Sequence, residues 1–131
     1  MYENKTSLKQ LSLNQNIILF GHGLVGWVFC GLVMFTGLTF TSELNAQIIH
    51  AIAVPLIFYF ISSNYFKSYN FTKPFMTGFT FMILIIFLDF FFVALIIERS
   101  FEMFLSLLGT WVPFVLILIT TTITGNRIND F

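Results

Sequence analysis

The residues of this chain that can do chemistry are few: His22, His50 and Asp89 inside apolar runs, with Glu43, Glu98 and Glu102 at their edges. Asp89 is the most telling, because Phe90, Phe91 and Phe92 follow it directly. A carboxylate at the centre of a membrane helix costs about 2.5–3.5 kcal/mol on insertion scales, and each Leu, Ile or Phe returns about 0.3–0.6. The surrounding apolar residues outweigh that cost, so the helix still inserts. An ionisable residue kept there is a site candidate by default. The plain alternative is a protonated Asp that hydrogen-bonds a neighbouring helix.

Histidine titrates near neutral pH, so His50 beside Asp89 offers proton exchange or cation binding. With Glu102 the two also make a candidate ligand set for Zn, Mn or Fe. No spacing of the H-x-x-x-H kind supports a metal. No cofactor is expected, and metal binding stands as an alternative only. His22 is a second proton-relay candidate, and its structural reading is a core histidine bonded to a backbone carbonyl. Glu43 completes the solute- or proton-binding candidates. Glu102 has a simpler role open to it, since a carboxylate is favoured at a helix N-terminus. Glu98 and Arg99 are adjacent and suit an exposed pair of little energetic weight.

These residues must be positioned by four apolar stretches, about 17–41, 46–66, 75–97 and 101–124. A hydrocarbon core of about 30 Å takes about 20 apolar residues in a helix, and every stretch reaches that length. The backbone must satisfy itself in lipid, so helices are expected rather than irregular chain. The chain is 57% hydrophobic and only 9% charged, where soluble domains average about 25% charged residues. The fold class is therefore all-α: one integral membrane four-helix transmembrane bundle spanning 1–131, with residues 1–16 as a polar, mostly mobile tail. Leu8, Leu11 and Leu13 suit a weak interfacial turn within that tail. The first run is too long for a secretory h-region and has no small-x-small cleavage pattern after it. It is expected to remain as a helix.

Zero formal net charge excludes nucleic acid as a partner, because no basic patch exists to meet phosphates. The lipid bilayer is the expected partner. A second copy or another membrane protein is the next, because four helices are expected to enclose little space and symmetric pairing is common. Lys5, Lys9, Lys67, Lys73 and Arg127 fall on one side of the spans and Arg99 on the other. By the positive-inside rule both termini are cytoplasmic. No internal repeat points to an inverted-repeat transporter. The single cysteine, Cys30, excludes paired-thiol redox chemistry within one chain.

Packing is legible too. Gly23, Gly26, Cys30, Val33 and Gly37 recur at spacings of three and four, so they share one stripe. Small residues let another helix approach closely, and the stripe predicts helix one as the central packing element. Pro113 lacks an amide hydrogen and meets the helix one turn back at Gly109, where a kink is expected. Depth follows from the helical rise. Asp89 lies about 20 Å above the start of helix three and His22 about 8 Å above that of helix one. His50, one turn into helix two from the opposite side, lies level with Asp89. The pair expected to meet is His50 and Asp89, and unmatched depths argue against a bis-histidine haem.

His22–Trp27, Ile48–Pro55, Asp89–Phe91, Phe101–Phe104 and Gly109–Pro113 together resemble an uncharacterised family of small prokaryotic four-span integral membrane proteins. The resemblance implies an inner-membrane location and no activity. The chain does not resemble small multidrug exporters, which place a Glu in the first helix. Three functions stand open. A small solute, ion or proton is bound or moved at a His50–Asp89 centre; the chain is a non-catalytic accessory subunit; or it is a membrane metalloenzyme. Catalysis is the least favoured.

Overall fold

The structure, a computed structural model, describes residues 2–97 and 99–129. Side chains are described from Leu13 onward, Glu98 and Met103 apart. Lys5, Lys9, Leu8, Leu11 and Glu98, named above, therefore have side chains outside the described residues.

Four helices carry the fold: α1 (Tyr2–Phe40), α2 (Glu43–Ser68), α3 (Pro74–Leu88) and α4 (Val112–Asn129). α3 runs on without a break into a π-helical stretch, Asp89–Ile97, and a π turn, Leu107–Trp111, leads into α4. Four segments are long and apolar enough to cross a membrane: Leu13–Phe40, Glu43–Ser68, Pro74–Ile97 and Leu107–Asn129. The protein is an all-α, multi-pass membrane bundle.

Two expectations need correction at the ends. Residues 2–16 are not irregular chain but the first turns of α1, which is helical from Tyr2; the chain has no Gly or Pro before Gly21 to interrupt it. The fourth helix does not start at Phe101. A short 3₁₀ turn, Glu102–Leu105, comes first, and the cap is Ser106, whose Oγ accepts from the Gly109 amide at 3.0 Å. Glu102 therefore opens the 3₁₀ turn and not the fourth membrane helix. Pro113 follows the π turn, where the Val112 amide reaches back to the Leu107 carbonyl. The expected kink site is thus where the helix widens.

The other boundaries follow ordinary capping. Ser42 Oγ accepts from the Asn45 amide at 3.3 Å, and Glu43 sits in the positive first turn of α2. At the far end the Tyr69 and Asn70 amides both bond the Tyr65 carbonyl. Asn70 takes a left-handed φ of 54°, which Asn tolerates better than most residues. Pro74 sits in the first turn of α3, where its missing amide hydrogen costs nothing.

Around the bundle the order is α1, α2, α4, α3, since α1 and α4 each pack against α2 and α3. The α2–α3 connection consequently crosses a diagonal. Glycines set the close approaches. A Cβ at Gly23 would meet Leu84, one at Gly26 would meet Phe58, and one at Gly37 would meet Ala46. Cys30 on the same stripe is buried. The stripe does pack helices, but α1 is not central. α4 buries 33% of its span window, against 22% for α1. Glycines admit neighbours without contributing side chains to the core.

The core sits toward the end that carries Lys67, Lys73 and Arg127, here the cationic end. Phe58, Tyr65 and Phe81 are fully buried, with the Phe81 ring centroid 5.9 Å from that of Phe58 and 6.3 Å from that of Tyr65. Ser62 donates to Thr121 Oγ1 at 3.1 Å across α2 and α4. Tyr65, Thr72 and Thr77 form a hydroxyl chain that ends on the Lys73 carbonyl. The buried hydroxyls of Ser62, Tyr65, Thr77 and Thr121 are thus hydrogen-bonded to other hydroxyls or to backbone, as a dry interior favours.

Candidate functional site

The opposite half is different. A chamber of about 780 Å³ opens there between the four helices. α2 supplies Glu43, Gln47, His50 and Val54, whose spacing of four, three and four puts them on one face. α1 supplies Trp27, Gly31, Met34 and Leu38 at the same spacing, and α4 with its leading turn supplies Ser106, Thr110, Pro113 and Ile117. From α3 come Ile85, Asp89, Val93 and Ile97. Intervals of four drift around a 3.6-residue helix, and the wider π turn reduces that drift.

Polarity changes with depth. Glu43, Ser100 and Glu102 form the rim, Trp27, His50, Asp89 and Thr110 lie deeper, and Val54, Ile85, Phe114 and Ile117 make an apolar floor. Below the floor comes the aromatic core. The chamber is therefore single-ended. It also opens sideways: Val28, Leu32 and Phe35 of α1 line it and are exposed. The π-helical stretch has no substantial backbone contact with α1 among the described residues. The seam between α1 and α3, held lower down by Gly23, parts above Asp89.

Of the five expected site residues the structure brings four to this chamber: His50, Asp89, Glu102 and Glu43. Asp89 is tied to α1. The indole Nε1–H of Trp27 donates to Asp89 Oδ1 at 2.8 Å. His50 Nδ1 is buried and has no hydrogen-bond partner among the described residues. Among the described residues no group of three or more His, Cys, Asp or Glu side chains is placed to hold a metal ion. His50, Asp89 and Glu102 line one space without closing on one point.

His22 lies apart, at the cationic end. Its Nδ1 donates to the Ile18 carbonyl at 2.8 Å, and its Nε2 meets Asn64 Nδ2 at 2.9 Å. Both ring nitrogens are occupied, so the ring ties α1 to α2. Tyr65 and Tyr69 pack edge-on against it, each with centroids 5.5 Å away. Phe58 and Phe81 fill the bundle between this ring and the chamber.

No known protein family, curated protein or solved structure matches this chain. Function must therefore be argued from the chamber itself.

Sequence reasoning missed Trp27, Gln47 and Thr110. The α2 face was readable, because Gln47 lies one turn after Glu43 and one turn before His50. Trp27 carried a signal as well, since a buried indole N–H needs an acceptor. The expectation that four helices enclose little space fails for a physical reason. The π-helical stretch and the π turn both widen the bundle at the same end.

Proposed function

We propose that the protein binds a small solute in the single-ended chamber, with His50 and Asp89 at its polar depth. The observation that carries this reading is a space of about 780 Å³ inside one chain, apolar at its floor and polar above it. Ligand sites are commonly clefts of about 300–1,000 Å³ with mostly apolar walls and a few placed polar groups. The excess of cations at the opposite end supports a cytoplasmic side for both termini. On that orientation the chamber faces outward from a prokaryotic inner membrane. Delivery or uptake of a solute from that face suits a single-ended chamber of this size.

Cys30 supplies the test, as the only thiol of the chain and part of the chamber wall. In sealed vesicles a small polar methanethiosulfonate should modify Cys30 from the Glu43–Glu102 side only. Small amphiphiles of positive, neutral and negative charge then compete. At least one class should protect Cys30 saturably. Gly31→Leu should abolish that protection, because a side chain at Gly31 meets nothing within 4 Å and projects into open space. Modification from both sides, or free modification that no amphiphile slows, would overturn the reading.

A further inference from the structure

We infer that the chamber takes the hydroxyl-bearing head of a membrane amphiphile whose tail stays in the bilayer between α1 and α3. This rests on the proposed solute-binding reading and adds the class of ligand and its route. The sideways opening carries it. Above Asp89 the π-helical stretch has no substantial backbone contact with α1 among the described residues. Both edges of this slit belong to segments long and apolar enough to cross a membrane, so it opens toward lipid. Its margins are apolar as well. Val28, Leu32 and Phe35 of α1 and Val93 and Ile97 of the π-helical stretch line the chamber. All are exposed except Val93, which is half-buried. Between them lies Gly31, where a Cβ would meet nothing within 4 Å. A compact solute from water needs only the rim, whereas an apolar slit into lipid admits a tail.

The polar groups are distributed to match. On the two slit helices Trp27 and Asp89 bond each other at 2.8 Å, and the Trp27 ring packs on Phe92 with centroids 5.9 Å apart. These contacts close the foot of the slit. Across the chamber from it, on α2 and the turn leading into α4, stand Glu43, Gln47, His50, Ser106 and Thr110. A head that enters between α1 and α3 therefore meets polar groups on the far wall, while its tail lies against apolar margins. That wall mixes amide, hydroxyl and carboxylate groups, which between them donate and accept hydrogen bonds. A hydroxyl also does both, so a hydroxylated head is met in either direction. Being uncharged, it brings no further ion into the membrane, where ions are costly.

The test uses the full chain in sealed vesicles of zwitterionic lipid, with Cys30 read by a small polar methanethiosulfonate added on the Glu43–Glu102 side. 1-Decanoylglycerol in the bilayer should slow the modification saturably and severalfold. Glycerol, the head alone, and decane, the tail alone, should not. Leu32→Trp and Val93→Trp each fill the slit from one margin. Both should remove the protection by 1-decanoylglycerol while leaving the unprotected rate of modification as it was, which separates a blocked slit from a damaged fold. Protection by glycerol alone, or protection by 1-decanoylglycerol that survives in both variants, would overturn entry from the bilayer and leave solute binding standing. Equal slowing by decane would overturn the assignment of the head to the chamber. Protection by a charged amphiphile but not by 1-decanoylglycerol would overturn the hydroxyl class. Slowing that grows with the protein-to-lipid ratio and needs no added amphiphile would put a second copy over the slit instead. A Cys30 that the reagent never reaches from the rim side would sink the chamber reading itself.

Discussion

Gly26 and Gly31 stand five residues apart on α1, and their surroundings divide the molecule. A Cβ at Gly26 would come within 2.5 Å of the Phe58 ring, while a Cβ at Gly31 would meet nothing within 4 Å. The first belongs to a half in which small residues admit large aromatic ones and the Ser62, Thr77 and Thr121 hydroxyls are hydrogen-bonded. The second borders a half in which two π-helical segments widen the bundle and leave a lined space. In lipid the hydrophobic effect does not press helices together, so packing and hydrogen bonds must do so. The cationic half uses both. The other half gives up that packing, and the residues it gathers are those most costly to insert.

The contrast breaks first at Phe58. Phe58→Ala leaves a void between α1, α2 and α3 and should cost about 3 kcal/mol or more, read as a fall in the unfolding midpoint of the detergent-solubilised protein. Leaving stability unchanged would mean that the cationic half is not the packed half. Next come the two glycines. Gly26→Leu overpacks and should cost about 1–3 kcal/mol. Gly31→Leu should leave the midpoint level or raise it, since leucine is a better helix former than glycine by up to about 1 kcal/mol. Similar losses at both would erase the distinction. Smallest is the link across the chamber. Trp27→Phe removes the indole donor to Asp89 and should cost about 1 kcal/mol, with Asp89→Asn costing less because an amide oxygen still accepts.

Much of this was legible in the sequence. Four spans follow from length and apolarity, and the roles of Gly23, Gly26 and Gly37 follow from their spacing. Depth counting placed His50 and Asp89 level, and both line the chamber. What could not be read was the π widening after Leu88 and before Val112. Periodicity arguments assume 3.6 residues per turn, and nothing in Asp89–Ile97 departs from an ordinary apolar run. Asp89 found Trp27 because α1 and α3 are neighbours, an order that four interchangeable apolar helices do not declare. The central place expected of α1 failed likewise, since a glycine stripe specifies closeness and not how many neighbours share it.

Thr110 and Thr121 allow the most direct measurement. Both lie in the fourth membrane segment and both are buried, at 4% and 0% exposure. One lines the chamber and the other bonds Ser62 in the closed half. In a Cys30→Ala background, Thr110→Cys and Thr121→Cys would be exposed to a membrane-impermeant polar thiol reagent from the Glu43–Glu102 side. Rapid modification at position 110 with none at 121 is the predicted result. Equal rates at the two positions, whether fast or absent, would contradict a solute-accessible chamber closed at one end.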